Sequence, residues 1–176
     1  LIDADGERTF AHHVGAAGRL DLEFLRRHLP LFARCGYAVL GYVGLLPALE
    51  PQLAEAAALL RGAGCRVVLE TGGSGGTLAH VAAALPAVDL FVPSLDEARR
   101  QTGCGDPREI IACYRSHGAA GIVGVKCGTD GSVISPDDST IVDVPCLPAP
   151  GPAVDATGAG DSYLAGLVVG LARGMP

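Results

Sequence analysis

The sequence has 176 residues, of which 49% are apolar and 18% charged, and its formal net charge is −6. Thirteen cationic residues, twelve arginines and Lys126, stand against nineteen acidic ones, a balance that argues against a nucleic-acid binder, which normally presents a clustered positive face. Its longest apolar stretch, residues 163–172, is shorter than the roughly 18 to 20 residues of a membrane span.

The cysteine pattern argues against a zinc or thioredoxin-type motif. Six cysteines are present, and no pair is separated by two residues. A chain this apolar can form its core without disulfides. We therefore expect reduced thiols and a cytoplasmic location.

The secondary-structure elements predicted at the two ends of the sequence are incomplete. The start predicts the end of one strand, a turn at Asp5-Gly6 and a second strand over residues 9–13. The far end predicts an apolar helix that stops at Gly174, where another element would be expected to pack on it. We therefore expect the sequence to be an internal part of a longer protein.

Between the ends, strands and helices alternate. A helix over residues 21–28 is closed by Pro30, and a second helix is opened by Pro51. A helix is also predicted over 77–85, and Ser94 and Asp106 each precede a glutamate by three residues, as capping residues do at helix starts. The predicted strands cover residues 37–42, 65–69, 88–92, 122–126, 132–135 and 140–144.

This alternation predicts the fold class. Continuous apolar strands separated by helices indicate an α/β fold: a doubly wound, mainly parallel sheet with helices on both faces. The predicted hairpins at the flanks add antiparallel strands at an edge or as a small lid. In such a sheet, ligands bind beyond the carboxyl ends of the strands, where helix N-termini point.

The sharpest candidate site is the run from Asp155 to Asp161, directly before the last helix. Gly158 and Gly160 let the backbone approach a ligand closely, and the small Ala159 adds little bulk, so several amides can converge on one anion. A carboxylate beside an anion hole suits a general base that takes a proton from a hydroxyl attacking phosphorus. From these residues alone, an equally good interpretation is that Asp161 only favours the helix dipole and the glycines only permit tight packing.

Other phosphate-binding motifs are weaker. No GxxxxGK[ST] sequence is present, which excludes a P-loop NTPase. Gly158-Ala159-Gly160 begins a dinucleotide fingerprint, but Tyr163 occupies its third glycine position. The run from Gly72 to Gly76 is interpreted as lacking a nearby acid or base, and so as a flexible connection.

The motifs together resemble those of the ribokinase-like, or PfkB, carbohydrate kinases. Residues 155–161, DATGAGD, are similar to the family signature DTxGAGD, with Ala156 in place of threonine. Residues 93–98, PSLDEA, look like its PNxxEA segment, and residues 125–131, VKCGTDG, look like its KxGxxG nucleotide-side turn. The segment DGERTF over residues 5–10 is similar to a mid-chain hairpin common in these kinases.

The resemblance implies a single ribokinase-like α/β domain over residues 1–176 and ATP-dependent phosphorylation of a hydroxymethyl group on a sugar or sugar-like molecule. Its implied roles are a general base, an anion hole, nucleotide contacts and a Mg²⁺ ligand acting through water. The general base would be Asp161, and the anion hole would be formed by Gly158, Ala159 and Gly160. The nucleotide contacts would be Lys126, Gly128, Gly131 and Thr157, and the Mg²⁺ ligand would be Glu97.

Three departures from the family pattern accompany the resemblance. Ser94 stands where the family usually has asparagine, and the segment from Glu70 to Gly72 stands where many members have an Asp-rich or Asn-containing strand end. The family's first third, with its Gly-Gly signature and most sugar contacts, and its last helices have no counterpart here. The acceptor, a sugar or a nucleoside, is therefore left open.

Two alternatives to the kinase remain at this stage. One is a non-catalytic or incomplete relative that keeps the fold and binds nucleotide, and the other is a dinucleotide-binding oxidoreductase. The oligomeric state also stays open, with a homodimer allowed because lid strands in this family often pair between subunits.

Overall fold

Six strands form one sheet whose spatial order follows the chain, β1 to β6. The computed structural model describes residues 12–72, 76–148, 151 and 155–175. The first four strands pair in parallel, and β5 and β6 continue the sheet as antiparallel neighbours. The strands are β1 (Tyr37–Leu40), β2 (Arg66–Leu69), β3 (Leu90–Phe91), β4 (Ile122–Lys126), β5 (Ser132–Ser135) and β6 (Val142–Val144).

Seven α-helices lie within the described residues. Asp21, Thr77, Ser94 and Asp106 each accept a hydrogen bond at the start of a helix, which satisfies amides that have no partner inside it. The helices are α1 (Leu22–Arg27), α2 (Leu29–Phe32), α3 (Leu53–Gly62), α4 (Leu78–Ala84), α5 (Leu95–Thr102), α6 (Pro107–Ser116) and α7 (Ala159–Ala172).

The two faces of the sheet are covered by different helices. Val67 and Leu69 of β2 join a large core with side chains of α1, α3, α4, α5 and α6. Val68, between them, points to the other face and packs with Leu164 of α7. Successive strand residues alternate between the faces, so a strand buried on both sides is apolar throughout. The predicted α/β fold with helices on both faces is confirmed.

One helix boundary was predicted wrongly. Pro30 does not close the first helical segment; it lies in the first turn of α2, which follows α1 after His28. A proline is tolerated there because its missing N–H has no partner in a first turn.

The two predicted hairpins have different outcomes. The antiparallel pair β5 and β6 forms the predicted edge hairpin. The turn at Asp5-Gly6 and most of the strand predicted after it lie outside the described residues, and His12 and His13 belong to no strand. In the part of the chain that the structure describes, no helix combines the length and apolar character needed to cross a bilayer.

Candidate active site

A cleft of about 460 Å³ opens where the carboxyl ends of the parallel strands meet the N-terminus of α7. Parallel strands bring side chains that are distant in sequence to this one edge of the sheet. The cleft is lined by Tyr42, Glu70, Gly72, Ser94, Glu97, Lys126, Gly128, Gly131, Ala156, Gly158, Ala159, Gly160, Asp161 and Tyr163.

The N-terminus of α7 presents both backbone amides and a carboxylate to the cleft. Gly158 caps the helix in the left-handed conformation, with φ of 79°, which glycine adopts without strain. Ala159 donates its amide to the carbonyl of Ala156 at 3.2 Å, so one of the three predicted anion-hole amides already has a partner. The exposed Asp161 lies in the first helical turn.

Lys126 brings a positive charge to the same place. It is the last residue of β4, and its amide donates to the carbonyl of Pro93 at 2.9 Å. Its Nζ lies 3.1 Å from the point that a Cβ on Gly160 would occupy. The ammonium group therefore sits against the bare backbone of the α7 N-terminus, where the helix dipole is also positive.

The turn after β4 carries the predicted nucleotide-side glycines. Gly128 begins a short 3₁₀ turn, Gly128–Asp130, and Gly131 ends it with φ of 89° and ψ of −130°. Both line the cleft. A Cβ on Gly131 would lie 2.0 Å from the carbonyl oxygen of Val144, so only glycine lets the turn and β6 approach this closely.

Tyr42, in the loop after the edge strand β1, contacts the predicted base Asp161. Its hydroxyl donates to Oδ2 of Asp161 at 2.8 Å. This hydrogen bond raises the pKa of the Tyr42 phenol, and burial adds to the effect. The backbone of Tyr42 is left-handed, with φ of 55°, a strained conformation for a residue with a side chain.

Glu70 is a buried carboxylate directly after β2. Its Oε2 accepts the amide of Tyr42 at 3.1 Å. Burial raises the pKa of Glu70, and this is only partly offset by the Tyr42 amide; the charges of Glu97 and Asp161 raise it further, while Lys126 opposes them. Three carboxylates and one ammonium group thus act on one another in the cleft.

Glu97 has a structural partner as well as a place in the cleft. Its Oε2 accepts the amide of Ser94 at 2.9 Å, and the hydroxyl of Ser94 accepts the amide of Glu97 at 3.3 Å, which completes the predicted capping box. No group of three potential metal-ligand side chains occurs among the described residues. Glu97 therefore lies in the cleft with one carboxylate oxygen already accepting a backbone amide.

The structure brings eight of the nine predicted site residues to this cleft. The exception is Thr157, which is absent from its lining and donates its amide to Oδ1 of Asp155 at 2.8 Å. Tyr42 was not predicted from the sequence, and Glu70 was assigned no role, although each lies just after a parallel strand, a position that was the available signal. Gly72 was interpreted as part of a connection without a nearby acid, whereas it lies in the cleft beside Glu70.

An α/β sheet with an acid and bare amides at one helix N-terminus, facing a lysine, is an arrangement that can hold an anion beside a carboxylate. Comparison with known proteins identifies the family. The family model described as "pfkB family carbohydrate kinase" matches residues 1–176, and the chain belongs to this family.

Individual relatives agree with this assignment. The chain is 34% identical to a 1-phosphofructokinase of Rhodobacter capsulatus over 160 residues, which cover 87% of this chain and 48% of the relative. It thus spans about half the length of this curated relative.

Solved structures share the fold. A PfkB protein from Polaromonas sp. JS666 has a TM-score of 0.76 at 20% identity, covering 99% of this chain and 58% of that one. An Arabidopsis thaliana ribokinase complexed with ribose and ATP has a TM-score of 0.72 at 24% identity, covering 85% of this chain and 47% of that one.

Proposed function

We propose that the protein containing this chain transfers a phosphoryl group from ATP to a hydroxyl group of a sugar or sugar-like molecule. The family supports this activity, and so do the relatives, one a 1-phosphofructokinase and another a ribokinase with ribose and ATP bound. The observation that carries the proposal is the meeting of Asp161, the α7 N-terminus and Lys126 in one cleft.

Asp161 is the general base. Its carboxylate takes the proton of the acceptor hydroxyl as the acceptor oxygen bonds to the terminal phosphorus of ATP. The bond from that phosphorus to the leaving oxygen breaks, and ADP departs. The exposure of Asp161 and its place in the cleft fit this role, whereas a purely structural acid on the helix would need neither.

The α7 N-terminus and Lys126 hold the transferred group. The amides of Gly158 and Gly160, together with the nearby ammonium group of Lys126, stabilise the negative charge on the phosphoryl oxygens. Ala159 contributes less in this geometry because its amide donates to Ala156. The attraction of these amides and of Lys126 for phosphate also offsets the repulsion that the carboxylate of Asp161 exerts on it.

The remaining predicted residues serve the nucleotide. Gly128 and Gly131 give the phosphates and ribose two positions without side chains in the turn after β4, and Thr157 belongs to the loop that leads into α7. Glu97 would hold Mg²⁺ through water, and this ion would neutralise phosphate charge.

The test is ADP release by the full-length gene product with a panel of sugars, comparing wild type with Asp161→Asn. We expect the variant to lose about 10²- to 10⁴-fold in kcat while it still binds ATP. Asp96→Asn is the matched control, because Asp96 is an exposed acid in the first turn of α5 and does not line the cleft.

The outcomes separate the alternatives. Equal turnover in wild type and Asp161→Asn would contradict the base assignment. ATP binding by the wild type without transfer to any acceptor would instead favour a non-catalytic relative. NAD binding at the α7 N-terminus would favour an oxidoreductase, which the family match does not support.

A further inference from the structure

The backbone of Tyr42 is strained, and the residue has no part in the phosphoryl transfer proposed above. Among the described residues it is the only one other than glycine with a positive φ, 55°. Such strain persists only where the surroundings hold it, and it is concentrated at functional sites. The loop after β1 is therefore fixed in a conformation that an ordinary connection would not need.

Two neighbours hold this conformation. The carboxylate of Glu70 accepts the Tyr42 amide at 3.1 Å, and the Glu70 carbonyl accepts the next amide, from Val43, at 3.3 Å. Gly72 leaves the space that the ring needs, because a Cβ there would lie 2.6 Å from Cδ1 of Tyr42. Glu70 and Gly72 thus adjoin the strained residue rather than the phosphate-facing amides.

The strained backbone places the hydroxyl of Tyr42 within hydrogen-bond distance of Asp161. The hydroxyl of Tyr42 donates to Oδ2 at 2.8 Å, across 119 positions of sequence. A carboxylate has two oxygens, so this bond leaves Oδ1 for a second donor. Tyr42 is nearly half exposed, at 47%, and both it and Asp161 line the cleft.

We propose that Tyr42 is a positioning residue for Asp161: its hydroxyl holds Oδ2, which orients Oδ1 to take the proton of the acceptor hydroxyl. This inference rests on the proposed kinase function. The phenol remains a donor throughout the neutral range, because the bond to Asp161 raises the pKa of Tyr42 above its ordinary value. Glu70 acts one step further away, by holding the Tyr42 backbone.

The test is Tyr42→Phe in the full-length gene product, which removes the hydroxyl and keeps the ring. We expect kcat to fall about 10- to 100-fold, as for loss of a hydrogen bond to a charged group, with KM for ATP changed less than about twofold. Tyr37→Phe is the matched control. It removes a phenol at the start of β1 that accepts from Arg66 and does not line the cleft.

A double-mutant cycle distinguishes positioning from a structural effect. In the Asp161→Asn background, single-turnover rates should fall less than about twofold on adding Tyr42→Phe, because the oriented carboxylate is already gone. Equal losses in both backgrounds would overturn the inference, and so would an unchanged kcat for Tyr42→Phe. Full activity of Asp161→Asn would instead contradict the assignment of Asp161 as the base, and a wild type without any transfer would contradict the proposed function itself.

The split between kcat and KM gives a second readout. Glu70, Glu97 and Lys126, the other charged groups around this pair, are unchanged in the variant. Loss of positioning should therefore lower kcat without a matching rise in KM for ATP, and a KM that rises as much as kcat falls would contradict the inference. Thermal denaturation of each variant shows whether it is folded.

Discussion

Two glycines of the turn after β4 should respond very differently to the same substitution. Both have positive φ, 61° at Gly128 and 89° at Gly131. A Cβ on Gly128 would have no neighbour within 4 Å, whereas one on Gly131 would lie 2.0 Å from the Val144 carbonyl oxygen and 2.8 Å from the Cys146 amide nitrogen. Both positions therefore disfavour a side chain through a positive φ, and Gly131 alone adds a steric clash and a ψ of −130°, outside the left-handed region.

The expected costs follow from this difference. Gly128→Ala should lower the free energy of unfolding by about 1 to 2 kcal/mol, the cost of a left-handed alanine. Gly131→Ala adds a contact with backbone that can be relieved only by moving β6, and we expect a loss of about 3 to 5 kcal/mol.

Urea denaturation of the full-length gene product measures both values. Equal losses for the two variants, or a loss at Gly131 below about 1 kcal/mol, would refute the claim that close approach of β6 requires a glycine there.

Three further substitutions test single contacts in the cleft. Glu70→Gln should stabilise the fold increasingly as the pH rises above about 4, the ordinary range of a glutamate. The reason is that burial raises the pKa of Glu70, so the folded state disfavours its charged form. Thermal denaturation of variant and wild type against pH checks this. A difference in Tm that shrinks with rising pH would contradict it. Gly160→Ala should raise the stability of the helix by up to about 1 kcal/mol and weaken ATP binding about three- to tenfold, because the new Cβ crowds Nζ of Lys126 at 3.1 Å. Calorimetry and denaturation together test it, and unchanged ATP affinity would argue against phosphate at this point. Ser94→Ala should cost about 1 kcal/mol by removing a helix cap, measured by urea denaturation, and a cost near zero would show that the cap is dispensable.

Much of the fold was predictable because its signals are local. The strands β4 and β5 begin and end where the sequence predicts, since each is an apolar run bounded by turn residues. β3 covers only Leu90–Phe91, although the apolar run is longer, because strand length is set by pairing with neighbours. Pro30 was misassigned because a proline can begin a helix as well as end one.

The candidate site was predictable only where its residues are neighbours in the sequence. Asp161 and the amides before it form one motif, and Lys126 with its glycines forms another. Tyr42 meets Asp161 only because β1 ends at the same edge of the sheet at which α7 begins. No local pattern marks such a pair, so its recognition required the three-dimensional arrangement of the strands. The roles of all nine predicted site residues and the extent of the domain remain predictions.

The central claim is tested most directly by a crystal structure of the full-length gene product with a non-hydrolysable ATP analogue. The account predicts that oxygens of the terminal phosphate lie about 3 Å from the Gly160 amide and from Nζ of Lys126. It also predicts that the Asp161 carboxylate faces the same phosphorus from the acceptor side. A terminal phosphate bound elsewhere, or an Asp161 side chain turned out of the cleft, would contradict it.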